Sequence, residues 1–329
     1  MNKKYYYINN KCTNPYYNLA LEEYLLTNKP DKHFIVLWQN ENAVIIGRNQ
    51  NAYEEINTDF ISKNHIKVVR RTTGGGAVYH DIGNLNYSFI TEFSSRQSSI
   101  SELTLPIIKA LSDIGIQAEV SGKNDITVYG KKVSGTAQRL YKNRILHHGT
   151  LLFNSDLEKI SGALNVRPEK FLSKSTKSIT GRVCNISEHL MENISLEDFW
   201  KLIYESLAKH NDIESYSLSE EDISSINMLK EKYVDTLWTF RAVQPMSIHS
   251  IAKFEGGLLD VNLKVEQDKI TDCKIFGDFM SLTDISPLER TLIGTLFSPA
   301  AIKKAVSVLP LKNILGSITA EELVSCIFS

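Results

Sequence analysis

Three short stretches concentrate the residue types that can grip an anion or hold a proton. RRTTGGGAVYHD (70–81) sets two arginines ahead of three consecutive glycines and ends on His80 and Asp81. Glycine lets backbone N–H groups approach a ligand with no Cβ in the way. Three in a row can therefore form a nest of donors around an anion, with the arginines adding bidentate charge. The same run also reads as a β-turn flanked by solvated arginines. NDITVYGKKVSGTAQR (124–139) places Lys131 and Lys132 beside Ser134, Gly135, Thr136 and Ala137, where a lysine can meet a phosphate or carboxylate as a point charge. Standing alone, that stretch is more commonly a surface turn. LHHGTLLF (146–153) carries adjacent histidines, which on a strand point to opposite faces and do not easily share a metal. Packing or capping is their simpler role. Neither GxxxxGK[ST] nor GxGxxG occurs, so a P-loop and a Rossmann dinucleotide site have no support.

These stretches need a scaffold, and the pattern around them supplies one. Asn14 as N-cap and Pro15 in the first turn open a helix carrying Tyr17, Leu21, Tyr24 and Leu25 at helical spacing. HFIVLW (33–38) and NAVIIG (42–47) are β-branched apolar runs about a polar turn and read as a strand pair. Further strands are expected near 66–71, 76–80 and 84–90, a helix over 101–115, and strands within QAEVSG, DITVYG, KKVSGTAQ and LHHGTLLFN. The fold class is α+β, with helices inserted into a mixed sheet rather than strict β-α alternation. LLDVNLKV alternates Leu259, Val261, Leu263 and Val265 against polar residues and returns through ITDCKIFG as a hairpin. Ser286-Pro287, Ser298-Pro299 and the Thr319-x-x-Glu322 capping box each announce a helix. The expected domains are 1–240, a linker at 241–250, and a small α+β domain at 251–329. FLSKSTKSITGR (171–182) has few apolar anchors and reads as a mobile loop.

Composition narrows the partners. The 329 residues carry 37 basic and 38 acidic side chains, so no global field draws in nucleic acid or an anionic membrane. There is no apolar run long enough for a membrane span, and MNKKYYYINN lacks the apolar core of a signal peptide. Cys12, Cys184, Cys273 and Cys326 are far apart, which argues against structural zinc and fits a cytoplasmic location.

Taken together and in order, the motifs resemble the lipoate–protein ligases, within the wider biotin/lipoyl ligase family. RRTTGGGAVYHD is similar to that family's lipoate-binding motif, NDI…GKKVSGTAQ to its lysine segment, and HHGTLL to the strand that follows. NLALEEYLL, LWQNENAVIIGRNQN and KSITGRVCNISE also resemble family segments, and IAKFEGGLLDVNLKVEQDKITDCKIFGD resembles the accessory domain of the longer ligases. The resemblance implies a mixed-sheet large domain of biotin/lipoyl ligase type. It also implies an enzyme that makes lipoyl-AMP from lipoate, ATP and Mg2+ and then lipoylates a lysine of an acceptor domain, on a dehydrogenase E2 subunit or a glycine-cleavage H protein. By the same resemblance Lys132 is the catalytic lysine, bridging acyl carbonyl and phosphate. Arg71, Gly76, Ala77, Val78 and Tyr79 meet the nucleotide, and Arg70, Gly74, Gly75, His80 and Trp38 belong to the lipoate site. Trp38, Val44, Ile46 and His80 are candidates for apolar tunnel walls and are equally explicable as core. Asn124 and Asp125 are candidates for Mg2+, although an aspartate at a strand start is more often a turn residue. Two other readings share these motifs: an ATP-independent lipoyl or octanoyl transferase with a thioester at Cys184, and a non-catalytic lipoate-binding protein.

Overall fold

The computed structural model describes residues 3–94, 99–165, 181–240 and 246–329. After His33, FIVLW (34–38) is apolar at every position because both faces of its strand are covered. Ile35 and Leu37 enter a core shared with Ile107 and Leu111 of the helix Ile100–Asp113 and Phe199 and Ile203 of Leu196–His210. Phe34, Val36 and Trp38 face the opposite core, with Leu21 and Leu25 of the helix Pro15–Asn28 and Ile226 and Tyr233 of Glu220–Val234. Alternation along the strand thus sorts one short run into two cores.

The strand His33–Trp38 lies inside an eight-stranded mixed sheet. Its order runs Asp212–Ser215, Lys4–Asn9, His33–Trp38, Asn84–Glu92, Arg144–Leu152, Lys131–Tyr141, Asp125–Val128, Ala118–Ser121. The pairings of Lys4–Asn9 are parallel, and the remaining ones are antiparallel. Ala43–Ile46 does not pair with His33–Trp38, contrary to the expected strand pair. It forms the middle of a separate three-stranded sheet, parallel to Lys67–Arg70 and antiparallel to Val78–His80. A knot of amides turns the chain off the large sheet between them: Asn18 Nδ2 donates to Gln39 O at 2.7 Å and to Asn40 Oδ1 at 2.9 Å. The expected N-cap holds, with Asn14 Oδ1 accepting from the amides of Tyr16 and Tyr17.

Residues 248–327 enclose their own core, built from Leu259, Val261 and Leu263 on one strand face and from Leu288, Ile302 and Leu323 on the covering helices. The hairpin is joined by a third strand, Ile248–Phe254. Of the expected linker, 241–245 lie outside the described residues, and 248–250 already belong to that strand. Ser298 and Thr319 cap their helices as expected. The cap before Pro287 shifts: Ser286 is inside the helix, and Asp284 Oδ1 accepts from both its amide and its hydroxyl.

This second core presses a loop onto the glycine turn. Gly75 N donates to Phe279 O at 3.2 Å, Gly277 N to Asn49 O at 2.9 Å, and Leu140 N to Leu282 O at 2.8 Å. Asn49 Nδ2 donates to Ser281 Oγ, and Arg48 pairs with Asp284. A Cβ at position 74 would stand 2.7 Å from Ser281 N, so only glycine allows this approach. Gly75 has φ +84°, a conformation that favours glycine.

A buried ionic cluster fastens the helices to the large sheet. Glu23 accepts from Arg139 Nη1 at 2.9 Å, Lys232 Nζ at 2.7 Å and Tyr233 Oη at 2.7 Å. Burial alone would raise its carboxyl, but Lys232 and Arg139 outweigh that and hold it down at about 2. A depressed carboxylate stabilises the fold above its unfolded value and loses that contribution as pH falls through the folded one. Glu23→Gln leaves two cations without their counter-charge and should cost about 3–5 kcal/mol in denaturant unfolding at neutral pH. The wild-type advantage over the variant should shrink as pH falls from about 4.5 to about 2; an advantage that persists to pH 2 contradicts the cluster's role.

Candidate active site

The turn between Lys67–Arg70 and Val78–His80 is shaped by Arg71, which is 5% exposed. Its Nη2 donates to Gly74 O at 2.6 Å and Gly76 O at 2.8 Å, its Nη1 to Ile45 O at 3.0 Å, and its Nε to Thr73 Oγ1 at 2.9 Å. Burial lowers the guanidinium to about 10, still charged near neutrality. Gathering the carbonyls of Gly74 and Gly76 on one cation fixes the path of the turn. Gly76 has open space where a Cβ would stand, whereas Gly74 meets Ser281.

Two adjoining cavities open beside this turn. The first is lined by Leu19, Trp38, Ile45, Ala137 and other apolar groups, with Arg71, His80 and His148 among them. The second, lined by Tyr79, Asp125, Thr127 and Arg182, is larger. Ala77, Val78, Gly135, Thr150 and Lys132 line both. Lys132 therefore stands at the junction. Its Nζ lies 2.7 Å from Asp125 Oδ1, with the side chain about one-third exposed. A register irregularity in the hairpin pairs Thr127 with Lys132 and Ile126 with Ser134. The segment after the glycine of KSITGRVC pins the lysine backbone, with Lys132 N donating to Arg182 O and Cys184 N to Lys132 O. Lys131, the neighbour, is exposed and lines neither cavity.

Most of the residues singled out from sequence converge here. Trp38, Arg71, Gly76, Ala77, Val78, His80, Asn124 and Lys132 line the first cavity, and Ala77, Val78, Tyr79, Asp125 and Lys132 the second. Arg70, Gly74 and Gly75 line neither. Arg70 is fully buried, and its guanidinium donates to the carbonyls of Gly47, Arg48, Gln50 and Thr239. Val44 and Ile46 pack in a neighbouring core with Tyr79 and Ile160. Asn124 Nδ2 donates to Thr136 O at 3.0 Å, which leaves its Oδ1, together with the Asp125 carboxylate, as the two candidate oxygens for a hard cation. Among the described residues no three His, Cys, Asp or Glu side chains cluster as a metal site. The expected mobile loop lies outside the described residues except for Gly181 and Arg182.

Three polar groups escaped the sequence reading. His148 was read as a packing residue, yet it lines the first cavity; His147 points the other way, between Gln138 and Thr104. Asn86 lies opposite both Trp38 and Thr150 in the sheet. Asn40 meets His80 Nδ1 at 3.0 Å, so the His80 proton belongs on Nε2, and burial lowers this imidazole to about 3. His80 Nε2 and Asn86 Nδ2 both lie buried without a partner among the described residues. Each such group costs about 1–3 kcal/mol unless a ligand satisfies it. His148 was the findable one, since its alternation with His147 puts one imidazole on the cavity face. Cys184 is 1% exposed, and burial pushes its thiol up, the reverse of an activated nucleophile.

Comparison with known proteins agrees with this architecture. Residues 14–208 match the family described as the lipoyl protein ligase A/B catalytic domain, and 244–327 match the bacterial lipoate protein ligase C-terminus. The lipoate-protein ligase LplJ of Bacillus subtilis is 39% identical over 326 residues, covering 97% of this chain and 98% of its own. The lipoate complex of P. falciparum LipL1 superposes with a TM-score of 0.78 at 27% identity, over 93% of this chain and 94% of that one. A lipoate-protein ligase A bound with ATP gives a TM-score of 0.61 at 26% identity, covering 73% of this chain and 99% of that one. With more than half its length matched by the catalytic-domain family and full-length relatives above 30% identity, the chain belongs to the lipoate–protein ligase family.

Proposed function

We propose that the chain is an ATP-dependent lipoate–protein ligase, and that Lys132 is its catalytic residue. The observation that carries the role of Lys132 is its position at the junction of the two cavities, where the narrow one, walled in part by Leu19, Trp38, Ile45 and Ala137, suits a lipoyl chain and the larger one a nucleotide. A carboxylate oxygen of lipoate attacks the α-phosphorus of MgATP, pyrophosphate leaves, and lipoyl-AMP is formed. The ammonium of Lys132 faces both the acyl oxygen and the α-phosphate in this reading, offsetting charge as it develops. Asp125, which holds that ammonium at 2.7 Å, would also offer a hard oxygen to Mg2+ brought in with ATP, and the ion would supply charge neutralisation on the phosphates. In the second step an acceptor lysine amine attacks the acyl carbonyl and AMP departs.

Around this centre, Gly76, Ala77, Val78 and Tyr79 contact the nucleotide, while Trp38 and His80 contact the lipoyl group. Arg71, Gly74 and Gly75 act by fixing the turn, and Arg70 acts one step further back, holding the backbone of 47–50. Residues 1–240 constitute the catalytic unit and 248–329, from the start of the strand Ile248–Phe254, the accessory unit. The acceptors are lipoyl domains of E2 subunits or the glycine-cleavage H protein, and four free cysteines suit cytoplasmic work. Among the described residues no helix is long and apolar enough to cross a membrane.

Lipoate-dependent ATP–pyrophosphate exchange tests the reading. Lys132→Ala should lose about 10²–10³ in rate, while Lys131→Ala stays within a few-fold of wild type. Equal activity of the two variants would place the catalytic lysine elsewhere. Lys132→Arg should also fail, because a planar fork cannot replace a compact ammonium in a tight junction.

For the cysteine, Cys184→Ala should ligate within a few-fold of wild type. Detection by intact mass of an acyl adduct on Cys184 formed without ATP would favour the transferase chemistry instead.

A further inference from the structure

A buried chain of hydrogen bonds runs behind the first cavity, from Trp38 to Arg71. Trp38 Nε1 donates to Ser88 Oγ at 2.8 Å, and Ser88 Oγ donates to Glu22 Oε1 at 2.5 Å. His148 Nδ1 meets both Glu22 oxygens, at 2.9 and 3.1 Å. His148 Nε2 lies 2.8 Å from Thr73 Oγ1, which accepts from Arg71 Nε at 2.9 Å. All six residues are buried.

Counting donors assigns a single direction to this chain. The Ser88 hydroxyl accepts from Trp38, so its proton goes to Glu22. The Glu22 carboxylate accepts only, so His148 carries a proton on Nδ1; Nε2 is left to accept because the Thr73 hydroxyl, which already accepts from Arg71, is given no other acceptor among the described residues. The Thr73 hydroxyl accepts from Arg71 and gives its proton to His148. No carboxylate is among the hydrogen-bond partners that the described residues give Arg71; Glu22 is the buried anion whose charge opposes the lowering of the guanidinium by burial, and His148 and Thr73 link the two by hydrogen bonds.

We propose that Glu22, which lines neither cavity, is a positioning residue: through His148 and Thr73 it sets the orientation of Arg71 and hence of the glycine turn that receives ATP. The inference rests on the ligase reading for its kinetic consequence, but the chain itself has a readout that does not. Imidazole nitrogen shifts of His148 should show a protonated Nδ1 and an unprotonated Nε2 in the wild type. In Glu22→Gln that preference should be lost. A wild-type His148 protonated on Nε2 alone, or shifts unchanged in Glu22→Gln, would overturn the relay whatever the enzyme's activity.

The kinetic arm is a double-mutant cycle of Glu22→Gln with the near-isosteric Thr73→Val, read by lipoate-dependent ATP–pyrophosphate exchange. Each single variant should lose roughly tenfold or more in kcat/KM for ATP, the scale of one hydrogen bond to a charged group. The double variant should be no worse than the weaker single variant, because either break uncouples Glu22 from Arg71. Additive losses, or a lowered Tm in Glu22→Gln with unchanged kinetics, would refute a positioning role. Failure of the wild type to exchange pyrophosphate would instead overturn the ligase reading, leaving the nitrogen shifts to judge the relay.

Discussion

A guanidinium sealed beneath a glycine turn must be answered by something, and around Arg71 the answer is backbone. Its donors collect the carbonyls of Gly74, Gly76 and Ile45, and burial lowers it only to about 10, so the charge persists. Carbonyls drawn to one side of a turn leave its other polar groups to face elsewhere. Gly75 gives its N–H to Phe279, and Gly76 stays open. The cation also binds Ala43–Ile46 to the turn through Ile45, so the small sheet and the anion-receiving loop form one unit. Uncharge Arg71, and the three consecutive glycines lose what makes them a defined shape.

The second organising fact is the parity of the large sheet. Both faces are buried, so every residue along a central strand belongs to one of two cores. Trp38 and His148 fall on the side facing the helix Pro15–Asn28, while Leu37 and His147 fall on the other. The hairpin carrying Lys132 breaks this regularity with a local shift in register, and its ammonium is thereby presented at an opening rather than in a core.

Much of the site could be read from sequence because its two walls are local. RRTTGGGAVYHD and GKKVSGTAQ each carry their charge and their small residues within a dozen positions, so residue type and spacing sufficed. The same holds for the helix opened by Asn14 and Pro15. What sequence did not disclose depends on register and long-range pairing. NAVIIG looked like the partner of HFIVLW because apolar runs do not state which sheet they join; Ala43–Ile46 pairs instead with Lys67–Arg70 and Val78–His80. Glu22 gave no signal of this role, since a glutamate on a helix is ordinarily solvated, and only folding buries it and brings it to a histidine 126 positions away. The resemblance assigned Arg70 to the lipoate site, but its guanidinium is spent on the backbone of 47–50 and Thr239, a set of long-range contacts that the motif itself does not display.

The loop that braces the glycine turn arrives late. Gly75 and Phe279 are separated by about two hundred residues, and the brace belongs to the last core to be synthesised. Domains fold as units in the order in which they emerge from the ribosome. The catalytic half therefore passes through a period in which its cavities exist while Gly74 and Gly75 still lack their outer support. A chain that ends before Phe279 would carry the residues of the site, and the Arg71 contacts that shape the turn, without the outer brace at Gly74 and Gly75.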